Sequence, residues 1–257
     1  MNVQRTDSVS QRGTATVPSR SHVASMTWRH GLFLHWPVDP AQLRPHVPAP
    51  LTLETWEGNA WVSVLPFVLT KIGIRGAPAV AQTAVAELNV RTYVSYRGDS
   101  GLFFFSIDLN NPLVAALAGP TRLPVTAANM RVSGSEDGIV FSSRREPEQS
   151  PTFTELTDPD TGWFAATYRP DGPVEPPEPG TFEHWSMERR RFYAPGERTV
   201  MVGEIAHDPW PVQPAEVTIQ EQTMLEANGL PEPIGSPRAY YCDELPMTGS
   251  IPRWIRR

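Results

Sequence analysis

Glu87, Asn89, Arg91 and Tyr93 occupy every second position of the stretch AVAELNVRTYVSY, residues 84–96. Side chains alternate with period two along a β-strand, so these four share one face while Leu88, Val90, Thr92 and Val94 share the other. A carboxylate, a carboxamide, a guanidinium and a phenol in one row are suited to proton transfer and anion recognition. Glu87 would act as acid or base, and Arg91 would recruit an anion or depress a neighbouring carboxylate's pKa. Composition alone favours a wet face, since antiparallel sheets commonly solvate one side. Tyr93 and Phe104 are uneconomical there and argue for an inward face lining the ligand cavity of a barrel.

Other reactive residues are more isolated. EIAHDPWPVQ, residues 204–213, gathers Glu204, His207 and Asp208, and imidazole with carboxylates can bind a metal or move protons. Pro209 and Pro211 force an extended segment, however, and one histidine lacks the spacing of a metal site. The stretch reads as a structural turn in which Trp210 anchors the core and His207 bonds the backbone, with His207 kept as a candidate ligand contact. Arg189, Arg190 and Arg191 read as a solvated charged edge that discourages strand aggregation. Cys242 stands among acidic neighbours in YYCDEL, which oppose thiolate formation. Lys71 is the single lysine, so any amine chemistry has one candidate.

Whole classes of function lack their motifs. There is no P-loop, no dinucleotide fingerprint, no HExxH helix and no GxSxG elbow. No motif calls for a metal or an organic cofactor. The net charge of −6 and scattered basic residues oppose a nucleic-acid partner. No apolar run is long enough to cross a bilayer, and the polar N-terminus lacks the apolar centre of a secretory signal. One cysteine excludes an intrachain disulfide framework. These observations point to a cytoplasmic protein with a small-molecule partner and no membrane partner, whose exposed strand edges allow a homodimer.

The elements that must position the row are mostly strands. Residues 1–24 read as a disordered tail and 25–257 as one domain. GLFLHWPV (31–38) is a strand, followed by a helical turn with Asp39 as N-cap and Pro40 at its first position. Residues 51–70 read as a hairpin turning at Glu57-Gly58-Asn59. RGDSG (97–101) turns the chain into LFFFSIDLNN. Pairing Tyr96 with Phe103 sets Asp108 opposite Arg91 and gathers Ser106, Asp108 and Asn110 on the Glu87 face. A short helix starts at Asn111-Pro112 and ends at Gly119. Strands follow near 127–133 and 138–144, separated by GSEDG, and near 163–168, 189–194 and 199–206. The proline-rich 169–180 is a loop, a helical turn starts at Thr181, and VTIQEQTMLEANGL reads as the longest helix, stopped by Gly229. Many short strands suggest a sandwich or barrel.

Four segments together carry a resemblance: TWRHGLFLHWPVDPAQLRPHVPAPLTLETWEGNAWVSVLPF, AELNVRTYV, LFFFSIDLNN and HDPWPVQPAEV. From about Met26 onward the chain resembles the YqjF-like family of uncharacterised proteins. That family is grouped with the acetoacetate decarboxylase-like fold. The resemblance implies an α+β, mainly β protein: a closed cone or barrel of antiparallel strands around an internal cavity, with a few short helices. It implies that Glu87 matches the decarboxylases' cavity glutamate and Arg29 their cavity arginine. LNNPLVAALAG is similar to the helix before the catalytic segment. There the decarboxylases carry Pro-Lys-Lys, whose first lysine forms a Schiff base. This chain has Pro124-Val125-Thr126, and neither valine nor threonine can supply the amine. The resemblance therefore implies a small-molecule protein without Schiff-base chemistry. Glu87 and Arg29 are its catalytic candidates; Asn89, Arg91, Tyr93, Asp108, Thr126 and His207 are its substrate-binding candidates. Hydration, dehydration, isomerisation or hydrolysis of an oxo- or carboxylate-containing compound fits, making it a lyase, isomerase or hydrolase. The alternatives are a non-catalytic small-molecule binder and an interaction scaffold with a filled core.

Overall fold

A computed structural model describes residues 22–117, 121–135, 138–145 and 162–256. The tail, the expected stop at Gly119 and part of the GSEDG turn lie wholly or mainly outside the described residues. The chain enters at β1 (His22–Val38), followed by α1 (Pro40–Leu43), β2 (Thr52–Leu53), β3 (Ala60–Ile74), β4 (Thr83–Tyr96) and β5 (Asp99–Leu109). Then come α2 (Pro112–Leu117), β6 (Val125–Ser135), β7 (Gly138–Arg145), β8 (Trp163–Pro170) and α3 (Phe182–Met187). The last elements are β9 (Arg191–Pro195), β10 (Thr199–His207), β11 (Gln213–Gln222), α4 (Met224–Ala227), β12 (Arg238–Ser250) and β13 (Arg253–Arg256). No helix among the described residues is long and apolar enough to cross a membrane.

The ladders close twice. One circuit runs β5-β6-β7-β8-β11-β12-β1-β3-β4 and back to β5. A second runs β10-β9-β5-β4-β3-β1-β12 and back to β10. They share the wall β12-β1-β3-β4-β5, whose two faces therefore look into different interiors. Pairing is antiparallel except where β5 meets β6 and β9. Toward the nine-strand circuit the wall presents Leu32, Leu34, Val62, Val64, Leu88 and Val90, packed on Phe141 and Phe164 from β7 and β8. Toward the seven-strand circuit it presents Phe33, Leu65 and Phe67, packed with Trp28, Met187, Trp210 and Met247. Burying a large aliphatic or aromatic side chain stabilises by about 1.5–3 kcal/mol, so two such clusters fix the wall from both sides.

Local chemistry explains several elements. Asp39 accepts a hydrogen bond from the Ala41 amide at 2.8 Å and caps α1, with Pro40 in the first turn. Thr181 caps α3 through the His184 amide. Gly31 lies against Trp28, whose indole stacks on Phe67 at a centroid distance of 3.7 Å. A Cβ at position 31 would sit 2.0 Å from the Trp28 indole nitrogen. Gly31→Ala therefore costs about 1–3 kcal/mol through forced repacking, read as a lower urea midpoint; an unchanged midpoint would show that Trp28 can move freely.

Three expectations are corrected. The turn at Glu57-Gly58 exists, with φ of +50° and +80°, but β2 pairs with β4 rather than β3. The β4–β5 turn is tighter than RGDSG implies: Arg97 and Gly98, at φ +55° and +88°, connect Tyr96 to Asp99 directly. VTIQEQTMLEANGL is not one helix. Its first half belongs to β11, where alternating burial follows Val217 and Ile219, and only Met224–Ala227 is helical. β-branched residues at period two won over helical spacing.

Candidate functional site

The row Glu87, Asn89, Arg91 and Tyr93 faces the interior of the seven-strand circuit. Glu87 is registered between Phe67 and Leu109, Asn89 between Leu65 and Ile107, and Arg91 between Ser63 and Phe104. Ser63 in turn neighbours His35, which neighbours Arg238. Five strands thus place Arg238, His35, Ser63, Arg91 and Phe104 in one lateral line. The inward-face reading of β4 is correct, but its partner residues differ. A bulge between Val90 and Arg91 leaves Phe105 unpaired and inverts the alternation of the rest of β5. Ile107 and Leu109 therefore join the Glu87 face, while Ser106 and Asp108 turn to the other interior.

Glu87 accepts a hydrogen bond from the Asn89 amide at 3.1 Å. Burial pushes its carboxyl up to about 7, against the opposing effects of that hydrogen bond and the Arg91 charge; Asp108 adds a small upward push. Arg91 is buried, bonds toward the Tyr93 hydroxyl and has no ion pair among the described residues. Its Nε has no partner. Desolvation lowers its pKa, offset by Tyr93 and Glu87.

Beside Arg91, the His35 Nδ1, Ser63 Oγ and Tyr93 hydroxyl form a triangle with edges of 2.7, 2.7 and 2.8 Å. Burial, reinforced by the charges of Arg91 and Arg238, holds His35 neutral. α3 covers this end: Phe182 packs on Trp61 at 4.3 Å and Trp185 on Tyr93 at 4.6 Å. Sequence reasoning missed His35 and Ser63. The signal was their alternation with Leu34, Trp36, Val62 and Val64, which becomes informative only once β1, β3 and β4 are known neighbours.

His207 approaches from β10, registered with Met247 of the same aromatic cluster. Its Nδ1 donates to the Asp208 carbonyl at 2.7 Å, as the turn reading expects, and Trp210 is buried. Burial lowers the imidazole to about 4, and the charges of Arg190 and Arg91 add to that. The neutral ring thus carries a bare Nε2 lone pair, buried without a partner. His35 Nε2, Asn89 Oδ1, Arg91 Nε, His207 Nε2 and the indole nitrogens of Trp28 and Trp210 are all buried polar atoms lacking a protein partner. An unmet buried group costs about 1–3 kcal/mol, so their concentration in one interior is costly for a purely structural core.

Other sequence candidates lie elsewhere. Arg29 shares a register row with Val68 and, through it, Ala86, on the face away from Glu87, and pairs with Glu244 at 2.6 Å near the surface. Asp108 is held by Arg145 through two bonds of 2.9 and 3.0 Å, and Thr126 is registered beside it. Neither Asp108 nor Thr126 is brought to Glu87. Val125 lies on the Glu87 side of the wall: it packs with Ile107 and Leu109, the register partners of Asn89 and Glu87, in an apolar cluster. Lys71 is exposed on β3. Arg189 corrects the expectation of a solvated edge. It is buried over Tyr93 and pairs with Glu54 at 2.5 Å. Cys242 is buried, and desolvation and Asp243 push its thiol up to about 12. Among the described residues no His, Cys, Asp and Glu group of metal-binding size occurs.

Comparison with known proteins agrees with this architecture. The chain is 35% identical over 234 residues to the uncharacterized protein YqjF of Bacillus subtilis (strain 168), covering 90% of this chain and 92% of that protein. The structure of the enduracididine biosynthesis enzyme MppR complexed with pyruvate superposes with a TM-score of 0.63 at 10% identity. That match covers 94% of this chain and 93% of the other. An acetoacetate decarboxylase-like enzyme from Sphingomonas wittichii RW1 gives 0.57 at 12% identity, covering 95% and 100%. The fold is thus acetoacetate decarboxylase-like. Residues 25–246 match the model of DUF2071, described as an uncharacterized conserved protein, and the chain belongs to that family.

Proposed function

We propose that this chain is an acid–base enzyme acting on a small 2-oxo acid or related oxo-carboxylate without a Schiff base. The observation that carries the reading is Glu87, moved to about 7 beside a buried Arg91 that has no ion pair among the described residues. A general base works best with a pKa near the operating pH, and a buried guanidinium is suited to a carboxylate. Arg91 binds the substrate carboxylate and stabilises the enolate oxygen. Glu87 takes a proton from the carbon next to the carbonyl: the C–H electrons form a C=C bond, and the carbonyl electrons move to oxygen. Returning the proton to another position completes an isomerisation. In a dehydration, the carbonyl re-forms while the C=C electrons shift to expel a β-hydroxyl, which takes the proton from the Glu87 carboxyl and leaves as water. The MppR complex with pyruvate supports this substrate class by analogy of fold.

Non-catalytic binding of the same class is the second reading, favoured by Val125 at the position that resembles the decarboxylases' lysine. Aromatic packing around Glu87 favours instead an interaction scaffold with a filled core: none of the described clefts is lined by Glu87, Arg91 or His35. Thermal shift with pyruvate tests recognition in either case, since a ligand of the folded state raises apparent stability. Wild type and Arg29→Ala should both shift, and Arg91→Gln should not. An equal shift in Arg91→Gln would remove the anion role from Arg91.

A further inference from the structure

A second cleft is lined by none of Glu87, Asn89, Arg91, Tyr93 or His35, although Phe104, registered beside Arg91, forms part of its wall. Its volume is about 210 Å3, and it lies where β5, β9 and the start of β6 meet the segment after α1 and the end of α4. Three consecutive phenylalanines, Phe103, Phe104 and Phe105, line it and are each only half-buried. Phe103 and Phe105, two positions apart on β5, meet edge to face at 5.3 Å, as the period of a strand allows, and Phe104 joins them in the wall. Pro48, Pro124 and Ala194 complete the apolar wall.

Besides His46 and Tyr193, two further polar groups mark the cleft as more than a packing fault. Asn228 is 4% exposed, and its Nδ2 is anchored to the Met224 carbonyl at 2.7 Å and to Ser106 Oγ at 3.2 Å. Those bonds fix the orientation of the carboxamide. Its Oδ1 is then a buried acceptor with no partner. Arg122 lies at the rim, exposed, at φ +60°, without an ion pair among the described residues. An acceptor in the wall, a cation at the rim and aromatic rings between them define complementary chemistry: a flat apolar body with a hydrogen-bond donor and a carboxylate. An apolar cavity of about 150 Å3 can hold a benzene ring, so the size suits a single-ring compound.

We infer that this cleft binds small aromatic carboxylic acids bearing a hydroxyl or amino group, independently of the Glu87 site. The ring stacks among Phe103, Phe104 and Phe105, the donor bonds Asn228 Oδ1, and the carboxylate pairs with Arg122. Calorimetric titration of the full chain with 4-hydroxyphenylacetate, phenylacetate and p-cresol tests it. Wild type should bind the first, with affinity about tenfold weaker for phenylacetate, which lacks the donor, and for p-cresol, which lacks the charge. Arg122→Gln, at an exposed position, should weaken 4-hydroxyphenylacetate by about tenfold and leave p-cresol unchanged. Glu87→Gln should bind like wild type, so failure here is distinguishable from failure of the proposed reaction. No binding to wild type, or equal binding by Arg122→Gln, would overturn the assignment. Loss in Arg91→Gln with retention in Arg122→Gln would overturn it too, by moving the acid to the interior.

Discussion

Asp108→Ala should lower the stability of the folded chain by about 3–5 kcal/mol. Asp108 and Arg145 expose 0% and 1% of their side chains and are joined by two hydrogen bonds. Removing the carboxylate leaves a guanidinium buried without its counter-ion, and desolvation of an unpaired charge is costly. Burial raises the Asp108 pKa even with Arg145 holding the charge in place, so the pair is not a strong net stabiliser. Replacing both partners together, Asp108→Leu with Arg145→Met, should therefore recover most of the loss. Urea unfolding reads both outcomes. A loss below about 1 kcal/mol for the single variant would place the pair in the regime of solvated surface ion pairs.

The same pair shows where the sequence was legible and where it was not. The alternation in AVAELNVRTYVSY identified the inward polar row on β4, because period two follows from strand geometry alone. Asp39-Pro40 and Thr181 identified helix starts through local capping. Asp108 was assigned to the wrong face because Phe105 is a bulge residue, and nothing in LFFFSIDL distinguishes a bulge from a regular strand. Its counter-ion, Arg145, is 37 positions away, and Glu54 is 135 positions from Arg189. Such partners are set by which strands close the barrel. The resemblance implied the fold and the importance of Glu87. It also implied Arg29 at the site, whereas the structure turns Arg29 to the other face, paired with Glu244, and sets Arg91 on Glu87's own face.

Glu87→Gln should abolish proton abstraction, lowering it by about 100-fold or more, while preserving shape and the bond from Asn89 if the amide oxygen takes the acceptor role. It should also change how stability depends on pH. The carboxyl is raised from 4.5 to about 7, so between those values the folded state holds a proton that the unfolded chain has released. That contribution is complete below about pH 4.5 and is lost as pH rises through about 7, amounting to at most about 3 kcal/mol and less for the exposure Glu87 keeps. The variant should lack this decline. Catalysis runs the other way, since the base is the carboxylate: the wild-type rate should rise through about pH 7.

Exchange of the methyl protons of pyruvate for solvent deuterium, followed by proton NMR from about pH 5 to about pH 9, tests the acid–base claim most directly, because enolisation needs no second substrate. Wild type should exchange them faster than buffer, with a rate rising through about pH 7, and Glu87→Gln should fall to the buffer rate. Wild-type exchange no faster than buffer, or equal exchange by Glu87→Gln, would contradict the assignment of Glu87 as the base.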